Sequence, residues 1–219
     1  MKLRIMKIIF EDIDLSARDT PKLRGAIAGK FPRYTLLHNH LEAGRLLYQY
    51  PRVQYKVING SPMILGIEEG IGVLEEVYGG IGEMKLSPHG PSLHSELKIE
   101  LAEGTFGEAD DLFEYSFATP WMALNQNNYY RYLEGPREVK ERLLKSILVG
   151  NILALSKSLG YEVKSHIFTS LRLSEMASNF KDNRMLSFRG EFLVNFRIPD
   201  YLGLGKSVAR GFGTVIRAG

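Results

Sequence analysis

Cysteine is absent from this chain, tryptophan occurs once, and histidine appears only five times in 219 residues. Without cysteine there is no disulfide, no thiolate nucleophile and no cysteine-ligated zinc, which fits a reducing compartment, so a cytoplasmic protein is expected. No apolar run approaches the roughly 20 residues that a membrane-spanning helix requires, so no membrane partner is expected. Charges interrupt the apolar opening MKLRIMKIIFED. No small-residue cleavage site follows it, so a strand is expected there and not a signal peptide. A large net charge is lacking too: the formal value is +3.

What is present is an ordinary globular composition, 44% hydrophobic and 24% charged, sufficient for a full core in one large domain or two smaller ones. The modest net charge hides an uneven distribution. Residues 96–114 hold seven acids and one base (Lys98), which leaves 27 Lys and Arg against 18 Asp and Glu elsewhere. Residues 16–60 carry eight bases and two acids. A local basic excess of this kind favours a polyanionic ligand, although a solvated basic face is as common for any one segment.

Along the chain, LRIMKIIF (3–10) reads as a strand and TPKLRGAIAGKF (20–31) as a helix, with Thr20 as N-cap, Pro21 in the first turn and an apolar stripe of Leu23, Ala26 and Ile27. RVQYKVI (52–58) and MILGIEE (63–69) are strands around the turn NGSP, and GVLEEVYGG (72–80) is a short helix closed by glycine. A last strand within 81–101 would complete a βαββαβ unit. In the second half, GPREVKERLLKSILVGNILALSKSLGY (135–161) is the longest helix, and its Gly150 implies close packing or a kink. YEVKSHIFTSLRL (161–173) and MLSFRGEFLVNFRI (185–198) are strands, the latter with Leu186, Phe188, Phe192, Val194, Phe196 and Ile198 on one face. The expected architecture is α+β: two ferredoxin-like (RRM-like) βαββαβ domains, 1–85 and a less regular 86–219, ending in a glycine-rich loop. Such sheets are frequent RNA platforms, yet fold alone licenses no function.

That closing loop, GLGKSVARGFG (203–213), contains GKS, but a phosphate-binding P-loop needs glycine where Asp200 stands, so the P-loop is rejected. Gly203, Gly205, Gly211 and Gly213 flank Lys206 and Arg210. Glycine lets backbone N–H groups approach an oxyanion closely, and two neighbouring cations suit a phosphate chain; the alternative is a turn that merely packs onto its own fold.

The other feature is LLHNH (36–40), which sets His38 and His40 two positions apart. A metal pair would need further ligands, and Glu42, His89, His94 and His166 stand at no diagnostic spacing, so no metal and no cofactor are expected. An acid–base pair asks for less, because imidazole reaches both protonation states near neutrality. Both rings face the same way only if the segment is extended or irregular; on a helix they diverge, and one would support the other.

Three stretches together, HNH (38–40), YPRVQYKVINGSPMILGIEEG (50–70) and the terminal G-x-G-x-x-x-x-x-G-F-G, resemble the CRISPR repeat-processing endoribonuclease family of the repeat-associated RNA-binding superfamily, in its archaeal-type b subgroup. The resemblance spans most of the chain. It implies a metal-independent endoribonuclease that cuts CRISPR repeat RNA by 2′-OH attack, leaving 2′,3′-cyclic phosphate and 5′-OH ends and releasing guide RNAs. The alternative is a non-catalytic RNA-binding subunit of a CRISPR ribonucleoprotein, which would not need the histidine pair. Partners are then the precursor transcript, with a second copy of the chain and a CRISPR effector complex as candidates.

On this reading His38 and His40 are the catalytic pair, with the assignment of base and acid open. Lys30 is a candidate for stabilising charge on the phosphate, against a plain helix-terminal lysine. Tyr48 is a candidate donor, positioner or stacking platform, with Tyr50 its rival. Lys56, on the inferred strand, is a candidate backbone-phosphate contact. Gly203, Gly205, Lys206, Arg210, Gly211 and Gly213 are the candidate RNA-binding loop. Trp121 reads as a core anchor, and the cluster from Tyr129 to Tyr132 as a candidate for base stacking.

Overall fold

The computed structural model describes residues 1–38, 49–86, 92–180 and 183–218. The chain divides into two compact units: Lys2–Gly104 together with Val208–Gly211, and Thr105–Ser207 together with Met1 and Phe212–Gly219.

In the first unit, β1 (Lys2–Phe10) buries both of its faces, Leu3 and Ile5 on one and Met6, Ile8 and Phe10 on the other. α1 (Thr20–Lys30) buries Leu23, Ile27 and Ala28. The expected cap at Thr20 is displaced. A 3-10 turn, Ala17–Asp19, runs straight into the helix and is capped by Ser16, whose hydroxyl accepts from the Arg18 N–H while its own N–H donates to Asp19. Thr20 is buried instead and donates its hydroxyl to the Ala17 carbonyl. After the short α2 (Thr35–His38) come β2 (Val53–Ile58) and β3 (Ser61–Ile67), an antiparallel hairpin whose two central residues, Asn59 and Gly60, have φ of 50° and 88°. Those are the left-handed conformations that a two-residue hairpin turn demands, and NG supplies them.

α3 (Glu69–Ile81) starts earlier than its apolar period suggests. Its entry is fixed by Glu68, whose carboxylate accepts from the Arg4 backbone N–H at 2.7 Å. β4 (Glu83–Lys85) and β5 (Ser92–His94) form a small ribbon, and β6 (Leu97–Thr105) closes the main sheet in the order β2-β3-β1-β6. That last strand moves the boundary. The sequence expectation ended the first domain at 85, but β6 lies beside β1, so the first unit runs on to Gly104. Its core gathers Ile8, Phe10, Leu23, Ile27, Tyr55, Ile64, Leu74 and Val77 between the helices and the sheet.

The second unit repeats the plan. β7 (Gly107–Phe117), α4 (Gln126–Glu134), α5 (Arg137–Ser158), β8 (Thr169–Phe180), β9 (Asn183–Arg197) and β10 (Val215–Arg217) form a sheet in the order β10-β7-β9-β8. Counted within each unit, both sheets have the ferredoxin-like strand order.

α5 matches the long amphipathic pattern, with Pro136 at its start and Gly160 at φ 73° just past its end. Gly150 makes no close contact: it is exposed, and a Cβ there would meet nothing within 4 Å. β8 begins at Thr169, later than expected, and α4 is capped reciprocally by Asn125 and Asn128. Trp121 is fully buried as a core anchor, stacked on Phe117 at 5.1 Å between ring centroids, with its indole N–H donating to Asn151 at 3.0 Å. No helix among the described residues is long and apolar enough to cross a membrane.

Candidate functional site

The candidate site of the first unit is assembled where α1, α2 and β2 meet. α2 is a single turn, too short to be stable by its own hydrogen bonds. It is held from outside. Leu37 is buried in the core, and the hydroxyl of Tyr55, a fully buried residue of β2, donates to the Leu37 carbonyl at 3.4 Å. The guanidinium of Arg24, from the middle of α1, donates to the next carbonyl, that of His38. These are the C-terminal carbonyls that a helix leaves without intrahelical partners. His38 therefore stands half-buried on a turn pinned by two side chains. The residues up to His38 are helical, so the extended arrangement of the two rings does not hold as far as His38. His40 and Tyr48 lie outside the described residues.

Burial raises the Tyr55 hydroxyl pKa above its ordinary value, so Tyr55 stays a neutral donor. Arg24 is shifted the other way: burial lowers its pKa first, and the positive charge of Arg210 lowers it further, with Tyr55 opposing. Arg210 reaches α1 because the 3-10 turn Val208–Arg210 packs against α1 and β2. Gly211, which follows, has φ 86°, and a Cβ there would sit 3.1 Å from both the Thr20 methyl and the Tyr55 carbonyl oxygen. Only glycine lets the turn lie this close to the strand.

The remaining candidates fall in different settings. Lys30, at the C-terminal end of α1, donates its ammonium to the Glu83 carbonyl at 3.0 Å. Lys56 is corrected. It is 0% exposed, with its ammonium donating to Gln54 at 2.9 Å while the Gln54 amide donates to the Pro51 carbonyl. Every residue of β2 but the last is buried, so a strand lysine that the sequence offers to phosphate points into the protein. Burial pulls its pKa down to about 7.

In the second unit, Lys206 is exposed and donates to the Leu124 carbonyl at 2.7 Å, with its pKa lowered by partial desolvation. Gly203 is buried and bridged to Thr214. Gly205 and Gly213 are left-handed, and a Cβ on Gly213 would lie 2.0 Å from the Leu204 carbonyl oxygen. Gly205 and Gly213 are thus required by close packing of the loop on its own fold. Of the cluster on α4, Tyr132 is buried and donates to Glu175 at 2.7 Å, while Tyr129 and Tyr130 are exposed. Among the described residues no group of three or more His, Asp or Glu is placed to hold a metal ion.

Sequence reasoning missed Arg24, which sits between Leu23 and the rest of the apolar stripe and gives no signal of its own. Tyr55 was in view only as part of YPxVQYK.

Comparison with known proteins follows the same division. Residues 1–100 match the Cas6b N-terminal domain family, and residues 107–218 match the Cas6b C-terminal domain family. The chain belongs to the Cas6b family. A crystal structure of Cas6b superposes over the whole of both chains with a TM-score of 0.94 at 40% identity. A second, of a CRISPR RNA processing endoribonuclease Cas6b, does so with a TM-score of 0.82 at 38% identity. An uncharacterised protein of Methanocaldococcus jannaschii is 47% identical over 121 residues, 55% of this chain and 81% of that one. The Cas6b fold thus accounts for both sheets and for the closing glycine loop.

Proposed function

We propose that this chain is an endoribonuclease that cleaves CRISPR repeat RNA within its precursor transcript, by acid–base catalysis that needs no metal ion. The observation that carries the reading is the pinned turn bearing His38, in a chain that matches Cas6b structures end to end. RNA brings its own nucleophile. The 2′-oxygen attacks the adjacent phosphorus as a neutral imidazole takes its proton. The P–O5′ bond then breaks as a protonated group delivers a proton to the departing oxygen, leaving a 2′,3′-cyclic phosphate and a 5′-OH. His38 and His40 are the groups proposed for these two transfers, with Tyr48 and Lys30 as auxiliary candidates. Lys206 and Arg210, which lie between the two pairs of glycines, are proposed to hold backbone phosphates. The cytoplasm is the compartment where such a transcript is met.

The test is cleavage of end-labelled RNA bearing the cognate repeat, in excess EDTA, by the unmutated protein and by His38→Ala and His40→Ala variants. A single cut with a cyclic-phosphate end is expected. Loss of the His40 imidazole is expected to slow it by about 100-fold or more, the usual effect of removing an acid–base group. Tight binding without cleavage by the unmutated protein would make the chain an RNA-binding subunit instead.

A further inference from the structure

Arg24 does more than cap α2. Its Nε is buried and makes no hydrogen bond among the described residues. A second guanidinium, that of Arg210, lies close enough to oppose its charge, on a turn that packs against the helix carrying Arg24. For Arg24, burial is unfavourable to its charge, the like charge of Arg210 opposes it further, and the buried Nε–H left unused adds to the cost. A phosphate oxygen between the two guanidiniums relieves both, and the planar fork of arginine lets one edge bind that oxygen while a terminal nitrogen still reaches a carbonyl. The carbonyl is that of His38.

We propose that Arg24 is a positioning residue that couples phosphate binding to the setting of His38: with Arg210 it takes a backbone phosphate of the repeat RNA, and through the His38 carbonyl it fixes the turn from which the imidazole projects. This rests on the reading that His38 takes part in cleavage. Lysine in place of Arg24 keeps the charge and the stem but lacks the fork, so it serves the phosphate or the carbonyl and not both.

Single-turnover cleavage at saturating RNA, and binding of a repeat with a 2′-deoxy nucleotide at the cut site, are measured for the unmutated protein, Arg24→Lys, Arg24→Ala, His38→Ala and the Arg24→Lys/His38→Ala double variant. Arg24→Lys is expected to bind with an unchanged salt slope yet to cleave about 10-fold more slowly, a loss confined to the rate at saturation. Arg24→Ala should in addition lower the salt slope by about one phosphate contact. In the His38→Ala background, Arg24→Lys should cost nothing further, because residues that act as a unit are not additive. Full-rate cleavage by Arg24→Lys, or an undiminished loss on top of His38→Ala, overturns the proposal. Full-rate cleavage by His38→Ala alone overturns the reading beneath it, so the two failures are told apart.

Discussion

The two units share one strand order and differ in how the third strand returns to the fourth. In the first, β3 leads into α3, a regular helix with Leu74, Val77 and Ile81 in the core. In the second, β9 leads through Pro199 and the glycine loop to β10. The described residues there form no α-helix, only the 3-10 turn Val208–Arg210, yet the loop carries core residues of its own: Leu202 and Leu204 are at most 1% exposed. Its left-handed positions, Tyr201, Gly205, Ser207, Gly211 and Gly213, turn the chain so that its backbone pairs with itself, Leu204 N–H donating to the Gly213 carbonyl and Val215 N–H to the Leu202 carbonyl. A fold can thus replace a helix by a loop, provided the loop's backbone is specified residue by residue.

The sharpest way to break this comparison is Gly213→Ala. If the loop is a structural element on a par with α3, a Cβ driven into the Leu204 carbonyl at a left-handed φ should cost about 3 kcal/mol or more and lower the melting temperature by several degrees. A melting temperature that stays put while RNA affinity falls would mean that the loop is only a ligand-binding arm.

Lys56 tests the first unit. Its pKa is about 7 in the folded protein and near 10.4 in the unfolded chain, so between these values the unfolded chain binds a proton that the folded one does not. Stability should therefore rise with pH from about 7 to about 10, with the cost of the buried charge fully present below 7. Urea titrations across that range should show the rise, and Lys56→Met should flatten it. An unchanged pH dependence in the variant would place the titration elsewhere.

The two loop cations probe the comparison from the RNA side, since Lys206 belongs to the second unit and Arg210 to the first. Replacing either with alanine should lower the slope of log affinity against log salt by about 1, and replacing both by about 2. A slope unmoved by the double change would take the RNA track off this loop. The smallest effect is expected in α5, where Gly150→Ala enters open space at an exposed helical position and should stabilise by about 0.5–1 kcal/mol, read from the same urea titrations.

Several elements are legible in the sequence. Pro136 and Gly160 bracket α5, NG dictates the β2–β3 turn, and the alternation of Phe188, Phe192, Val194 and Phe196 marks β9. β7 was not legible. Its residues include Glu108, Asp110, Asp111 and Glu114, poor strand formers by local preference. It is a strand because β9 and β10 hydrogen-bond to it on either side, with a register shift between Glu108 and Phe113. The site divides the same way. The histidine pair and the loop cations announce themselves by residue type, whereas Arg24 and Tyr55 read as helix surface and strand core.

What the sequence by itself determined is local: where the chain turns, which faces are apolar, which residues carry protons and charge, and which family's motifs it bears. Those follow from backbone preferences and side-chain chemistry within a few residues of each other. Tertiary structure alone decided that Lys56 is inside, that the loop glycines are packed, and that Arg24 meets the His38 carbonyl fourteen residues along the chain. Burial and hydrogen-bond partners depend on what the rest of the fold lays against a residue, and no local pattern contains that.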